Sequence, residues 1–179
     1  AVRGTFERVL GSDAHGLGLG LVYDVCHNIA KFETHLVGGE EVEVCVHRKG
    51  ATRAFPPGHP DVPAVYREVG QPVFVPGDMG RYSYVAVGAP GSMSAAFGST
   101  CHGAGRSLSR HAALRALRGV DVARGLEAEG IIVRAERPDL LAEEASIAYK
   151  DVAAVVRVAE RAGLLRITAR LKPLVVIKG

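Results

Sequence analysis

One short stretch of the chain combines a histidine with the residue types that bind phosphate. His102 is followed by the turn Gly103, Ala104, Gly105 and Arg106. Glycines let backbone N–H groups approach an anion closely, and a guanidinium can make two parallel hydrogen bonds to it. A neutral imidazole can attack phosphorus to form a phosphoramidate, which divides one difficult transfer into two easier ones. The residues alone leave an alternative about as probable, a glycine-rich turn whose histidine only caps the next helix.

A second stretch is basic. His47, Arg48, Lys49 and Arg53 are interleaved with Gly and Thr. Such a segment suits contacts to phosphates, which position a nucleic acid without reading its sequence. By composition alone, a solvated loop with ordinary surface charge is the favoured interpretation.

Composition narrows the class of protein. The chain has 179 residues, 47% of them hydrophobic, which predicts one compact globular domain. A net charge of +3 gives no global positive field for nucleic acid. Three cysteines without regular spacing argue against a disulfide framework and favour a reducing compartment. We see no signal peptide and no apolar run of membrane-spanning length, and the start without methionine suggests a fragment or a processed chain.

Periodicity and turn residues predict an α+β domain of mixed and antiparallel strands with flanking helices. Strands are predicted at 41–47, with one buried face, and at 73–75, 82–87, 131–135 and 167–178, with a hairpin turn at Gly38-Gly39 and a break at Pro173. Helices are predicted at 23–32, 106–117, 120–129 and 151–162, the last between Asp151 and Gly163. Residues 48–63 are predicted to be a long loop, and 16–23 either a buried strand or the lead-in to a helix.

Several blocks resemble, in order, those of the RtcB family, the GTP- and manganese-dependent RNA-splicing ligases. They are Y-D-V-x-H-N-I-A-K around His27, V-H-R-K-G-A-T-R-A-F, P-G-x-M-G-x-x-S-Y, F-G-S-T-C-H-G-A-G-R-x-x-S-R around His102, E-A-x-x-x-Y-K-D and the terminal V-I-K-G. The resemblance runs from about residue 23 to 179. It implies an RtcB-like fold in which residues 1–179 are the C-terminal part of the family's catalytic domain.

The resemblance assigns roles to individual residues. His102 becomes the nucleophile that is guanylylated. The implied nucleotide contacts are Ser83, His102, Gly103, Ala104, Gly105, Tyr149, Lys178 and Asp78, and the implied RNA or phosphate contacts are Arg48, Arg53, Arg106 and Arg110. Two positions depart from the family's pattern. Asp78 replaces a serine and would repel phosphate, although it could accept from a guanine N–H, and Ser146 replaces a proline.

The resemblance also makes His27 a Mn²⁺ ligand. A lone histidine in an apolar segment is more often a hydrogen-bonded core residue than a ligand. The family's other ligands are an aspartate, a cysteine and two histidines from its larger N-terminal part, and none of the remaining histidines here has the expected flanking motif. By its residues alone, the metal site is therefore incomplete.

The implied function is GTP-dependent ligation of RNA in tRNA splicing or RNA repair. An end with a 3′-phosphate or 2′,3′-cyclic phosphate would be joined to a 5′-hydroxyl through a histidine–GMP intermediate, with two Mn²⁺ in the full enzyme. An archease-type activator and a cytoplasmic location are further expectations. Two alternatives stay open: a non-catalytic piece that needs a complementary N-terminal chain, and a generic nucleotide-binding domain.

Overall fold

The computed structural model describes all residues 1–179 and confirms the α+β class. Six helices alternate with nine strands. The helices are α1 Val2–Leu10, α2 Gly91–Ala96, α3 Arg110–Ala116, α4 Val122–Ala128, α5 Pro138–Glu143 and α6 Val152–Arg161. The strands are β1 Asn28–Val37, β2 Glu40–Lys49, β3 Ala51–Arg53, β4 Pro72–Val75, β5 Ser83–Gly88, β6 Ser99–Cys101, β7 Ile132–Ala135, β8 Leu165–Leu171 and β9 Val175–Lys178.

The strands form four small sheets. β1 and β2 make an antiparallel hairpin, β3 pairs with β6, and β5 lies between β4 and β8 in an antiparallel sheet. Only β7 and β9 run parallel. None of the helices combines the length and apolar character required to cross a membrane.

Two clusters of buried residues hold the fold together. The larger lies between the β4–β5–β8 sheet and α6, and it includes Val73, Val75, Ala86, Val152, Val156 and Leu165. The smaller joins α4, α5, β7 and β9 through Met79, Leu126, Ile131, Val133, Leu141 and Val176. Residues 76–79 connect the end of β4, in the larger cluster, to Met79, in the smaller one, and they line part of the candidate site.

Several helices and strands form where capping and turn residues predicted them. The Asp151 carboxylate accepts a hydrogen bond from the N–H of Ala153 at 2.9 Å and so caps α6, and Gly163 follows the helix at a φ of +71°. Positive φ angles of 62° and 93° at Gly38 and Gly39 form the predicted hairpin turn. The strands at 73–75, 82–87 and 131–135, the helix at 120–129 and the break at Pro173 are confirmed within a few residues.

Other predictions were wrong. Residues 23–32 are not a helix: 23–27 have no regular structure and Asn28 opens β1, because ten cross-strand pairs with β2 outweigh a helical spacing of three apolar residues. The helix predicted from 106 begins at Arg110, where the Ser109 hydroxyl accepts from the N–H of Ala112. The predicted loop 48–63 contains the end of β2 and all of β3, and 16–23 are turns and irregular chain.

The burial predicted for the strand at 41–47 holds for part of its length. Val44 and Val46 are half-buried on one face, and Arg48 beyond them is buried, but Val42 on the same face is exposed. Three helices, α1, α2 and α5, had no counterpart in the sequence predictions.

Candidate active site

Gly50 joins the two histidines of the candidate site. Its carbonyl accepts from the N–H of His102 at 3.3 Å, and its own N–H donates to the carbonyl of His27 at 3.1 Å. The Thr52 hydroxyl donates to the carbonyl of Cys26 at 3.2 Å, which fixes the segment before β1 against β3. The β3–β6 pairing, with Ala51 opposite Cys101, places His102 directly beyond the end of β6. Backbone hydrogen bonds therefore bring both histidines to one point.

The two imidazole rings stack face to face. Their centroids are 3.9 Å apart and their planes differ by 5°, and we call this pair the histidine stack. Nδ1 of His102 is buried and has no hydrogen-bond partner. Burial, with a smaller contribution from the charge of His27, holds the pKa of His102 below its ordinary value. The lowered pKa favours the neutral imidazole, which is the form that can act as a nucleophile.

The turn after His102 presents unpaired backbone donors. The N–H of Ala104 is occupied by the carbonyl of Pro76 at 3.1 Å, whereas the N–H groups of Gly103 and Gly105 have no acceptor in the protein. Gly105 has a φ of +73°, a conformation that favours glycine. Two free N–H groups beside a neutral imidazole form a small anion-binding surface.

Next to this turn lies an open cavity of about 260 Å³. Its lining brings together four residues that the sequence singled out, Asp78, Ser83, Tyr149 and Lys178, and adds Glu144. We call it the Tyr149 cavity. Lys178 lies on β9, which pairs with β7, and Tyr149 lies in the segment between α5 and α6, so the two meet only in the folded chain. Glu144 opens the E-A-x-x-x-Y-K-D block, but the resemblance assigned it no role.

The carboxylate of Asp78 is paired with Arg81 inside the protein. Its carboxylate accepts from the N–H groups of Gly80 and Arg81, from Nε of Arg81 at 2.6 Å, and from the hydroxyl of Ser146. Asp78 and Ser146 are the two positions that depart from the family's pattern, and here they contact each other. The carboxylate that seemed set to repel phosphate is therefore paired with a guanidinium.

Arg106 binds two residues that line the Tyr149 cavity. Its Nη1 donates to Glu144 at 3.2 Å and to the hydroxyl of Tyr149 at 3.0 Å, and its Nη2 donates to the carbonyl of Glu143 at 2.6 Å. The Tyr149 hydroxyl also donates to Glu144, and burial together with that carboxylate raises the pKa of Tyr149. Arg110, which is exposed, reaches Glu143 at 3.3 Å and Glu144 at 3.5 Å.

The two arginines of the basic segment have different surroundings. Arg48 is buried, and it binds both carboxylate oxygens of Glu33 at 2.8 and 2.7 Å, the Ser99 hydroxyl at 2.8 Å and the carbonyl of Phe97 at 2.8 Å. Its guanidinium is committed to protein acceptors, and its predicted phosphate contact stays a prediction. Arg53 has no acidic partner and lies 4.7 Å above the ring of Phe55.

Glu33 is the centre of this buried network. It accepts from Arg48 and contacts Nε2 of His35 at 3.1 Å. Burial raises its pKa, but the hydrogen bonds from Arg48 and His35 together lower it further, so the net shift is downward. The network ties the β1–β2 hairpin to the residues that lead into β6 and His102.

The residues of this chain do not by themselves fit a manganese site. No three His, Cys, Asp or Glu side chains come close enough together to hold a metal ion. His27 is a single imidazole, and Mn²⁺ prefers oxygen ligands alongside nitrogen.

Comparison with known proteins gives one consistent family. The family model described as "tRNA-splicing ligase RtcB" matches residues 1–179. The tRNA-splicing ligase RtcB of Archaeoglobus fulgidus is 57% identical over 178 residues, which are 99% of this chain and 37% of the relative. That of Thermococcus kodakarensis is 56% identical with the same coverage, and RNA-splicing ligase RtcB homolog 1 of Entamoeba dispar is 52% identical over 99% of this chain and 33% of its own length. The chain thus spans about a third of these relatives.

Proposed function

The chain belongs to the RtcB family, and on that premise we propose that it supplies the nucleophile and the guanylate pocket of a GTP-dependent RNA ligase. The observation that carries this proposal is the placement of His102. Its pKa is lowered, it is followed by a turn with two free backbone N–H groups, and that turn binds Pro76 at the edge of the Tyr149 cavity. The buried His35 also has an unpartnered Nδ1, so the neighbouring donors and cavity are what distinguish His102.

In the proposed first step, His102 attacks the α-phosphorus of GTP. A nitrogen–phosphorus bond forms as the bond to the β-phosphate oxygen breaks, pyrophosphate leaves with the electron pair, and the imidazole loses its N–H proton to solvent. The N–H groups of Gly103 and Gly105 stabilise the negative charge on the α-phosphate, and Ala104 packs the turn against Pro76.

The guanine base is proposed to occupy the Tyr149 cavity. Tyr149 offers a ring face, Ser83 a hydroxyl that can still donate, and Lys178 an ammonium that can donate to the carbonyl oxygen of guanine. Asp78 remains a proposed contact to a guanine N–H, although it would share its carboxylate with Arg81 and Ser146.

In the later proposed steps, GMP passes to an RNA 3′-phosphate, which a 2′,3′-cyclic phosphate end would first yield, and a 5′-hydroxyl then displaces GMP. Arg53, Arg106 and Arg110 are the exposed or half-exposed guanidiniums that can hold these phosphates. Arg48 is proposed here chiefly to position the strand that carries His102. The archease-type activator and cytoplasmic location also stay proposals carried by the family.

A second candidate function is favoured because no three His, Cys, Asp or Glu side chains of this chain lie close enough together to bind a metal ion. In this reading the chain folds and forms the guanylate pocket but cannot react until further ligands join His27. We assign manganese no part in the steps above, because the residues present do not fit it.

The test is to incubate the chain with labelled GTP and Mn²⁺, and to look for an acid-labile, base-stable GMP adduct at His102. The H102A variant should lose all labelling, and the matched variant H15A, which changes an exposed histidine in the turn at residues 14–18, should keep it. Labelling that persists in H102A would refute the nucleophile. Labelling that appears only when the rest of a relative's chain is joined to this one would favour the second candidate.

A further inference from the structure

The β1–β2 hairpin buries three polar or charged side chains on one face and exposes two large apolar side chains on the other. Glu33 and His35 of β1 and Arg48 of β2 are buried on the inner face. The opposite face carries Phe32 and Leu36, whose exposed fractions are 75% and 72%. An antiparallel sheet with one solvated face normally directs its polar residues to water and its apolar residues to the core. The outward face of this hairpin therefore lacks a cover.

This outer hairpin face has a definite chemical layout. It consists of the exposed cross-strand pairs Asn28–Lys49, Ala30–His47, Phe32–Cys45, Thr34–Glu43 and Leu36–Glu41. Phe32 and Cys45 lie at the centre, Leu36 lies with Glu41 and Glu43 at the end next to the hairpin turn, and His47 and Lys49 lie at the end next to His27. β1 and β2 pair only with each other, and a two-stranded hairpin is at best marginally stable in water without packing on one face.

We propose that the outer hairpin face is the docking surface for the portion of an RtcB chain that lies outside the segment matched here. The proposal rests on the function proposed above. The length of the relatives provides the occupant, since residues 1–179 correspond to only 37% of the Archaeoglobus fulgidus protein. His27 immediately precedes β1, so an occupant of this face would also lie close to the candidate site.

The layout of the face specifies the chemistry of its occupant. Apolar side chains should pack on Phe32 and Leu36, and basic groups should lie opposite Glu41 and Glu43. At the other end the occupant should present acidic or other electron-pair donors to Lys49 and His47.

The thiol of Cys45 reports directly on this face, because it is exposed and lies opposite Phe32. The experiment compares this chain with a longer chain in which the unmatched region of the Archaeoglobus fulgidus relative is joined to it in the relative's own order. N-ethylmaleimide labelling of Cys45 is followed by peptide mass spectrometry, with the urea-unfolded protein as reference. We expect labelling in the folded longer chain to be at least tenfold slower than in this chain alone.

Substitutions test whether the protection of Cys45 from labelling arises at the outer hairpin face. In the longer chain, F32T/L36T keeps strand-forming residues but removes the apolar centre, and should restore fast labelling of Cys45. The matched variant V158T changes a residue of α6 that is 68% exposed and should leave the protection intact. If F32T/L36T does not fold, E41K/E43K tests the same face through its acidic end and should weaken the protection several-fold.

Two results would overturn the proposal. One is equally fast labelling of Cys45 in both chains while the longer chain is folded. The other is protection that rises with the concentration of this chain alone, because a second copy would then be the occupant. GMP labelling of His102 in the same samples separates this inference from the proposed function: protection without an adduct defeats only the function, and an adduct with an unprotected Cys45 defeats only the docking surface.

Discussion

Two arginine–glutamate pairs hold the two sides of the candidate site, and burial separates their roles. The Arg48 and Glu33 side chains are only 1% and 6% exposed, whereas those of Arg106 and Glu144 are 26% and 19% exposed and lie beside the Tyr149 cavity. Both guanidiniums bind protein acceptors through all three nitrogens, so burial alone separates them. We expect Arg48 to belong to the scaffold, and we propose Arg106, which solvent can reach, as a contact to phosphate. The same two residue types would thus build a support in one place and a ligand contact in the other.

The largest expected effect is on stability. Arg48→Met leaves Glu33 buried without its partner and the carbonyl of Phe97 without a donor, and we expect the free energy of unfolding to fall by about 3–5 kcal/mol. Arg106→Met breaks a half-exposed pair and should cost about 1 kcal/mol. Urea denaturation of both variants measures the difference.

A double substitution checks the cause of that loss. Glu33→Leu combined with Arg48→Met removes both charges, and it should recover more than half of the stability lost in Arg48→Met alone. No recovery would mean that the contact of Arg48 with Phe97 and Ser99, rather than the ion pair, stabilises this region.

The second-largest expected effect is on the affinity for GTP, and we expect it only for substitutions in the Arg106–Glu144 pair. Arg106→Lys keeps the charge but loses the planar pair of donors, so GTP should bind about tenfold more weakly, a difference of ~1.4 kcal/mol. Isothermal titration of the chain with GTP measures it. The same substitution at Arg48 should leave the affinity within about twofold in the folded fraction, and equal losses at both positions would remove the distinction drawn above.

The smallest effect concerns pH. Glu33 has a folded-state pKa below its ordinary value of 4.5, so it binds protons less readily in the folded chain than in the unfolded one. Its contribution to stability is fully present above pH 4.5 and is lost as the pH falls through the folded-state pKa. The free energy of unfolding of the wild type should therefore decrease with acid more steeply than that of Glu33→Gln. Parallel curves would show that Glu33 is not the titrating group.

The sequence predicted correctly the structural elements that are determined by residues close together in the chain. The Asp151 cap, the Gly38-Gly39 turn and the alternation in β2 each act over a few residues, and each element is found close to its predicted place. The spacing of Val25, Ile29 and Phe32 fits a helix, but it misled because Val25 lies before β1, and Ile29 and Phe32 lie on opposite faces of that strand. Phe32 faces outward on β1, so its position carries no information about the core of this chain.

Long-range contacts could not be predicted in the same way. The burial of Arg48 depends on Glu33 across the hairpin and on Phe97 from a distant segment, and nothing in the basic segment itself indicates either contact. The histidine stack likewise depends on the pairing of β3 with β6. The family resemblance selected His27, His102 and the residues of the Tyr149 cavity, but their distances and partners required the fold.

The pairing of β3 with β6 also sets an order of events in time. Arg48 and Ser99, which hydrogen-bond across this junction, are 51 residues apart in the chain, whereas β1 and β2 are joined by a two-residue turn. Closing a long loop costs chain entropy before its contacts are gained, so we expect the hairpin to form early and the junction late. A chain still emerging during synthesis would then hold His27 in place well before His102 arrives, and the histidine stack would form only at the end of folding.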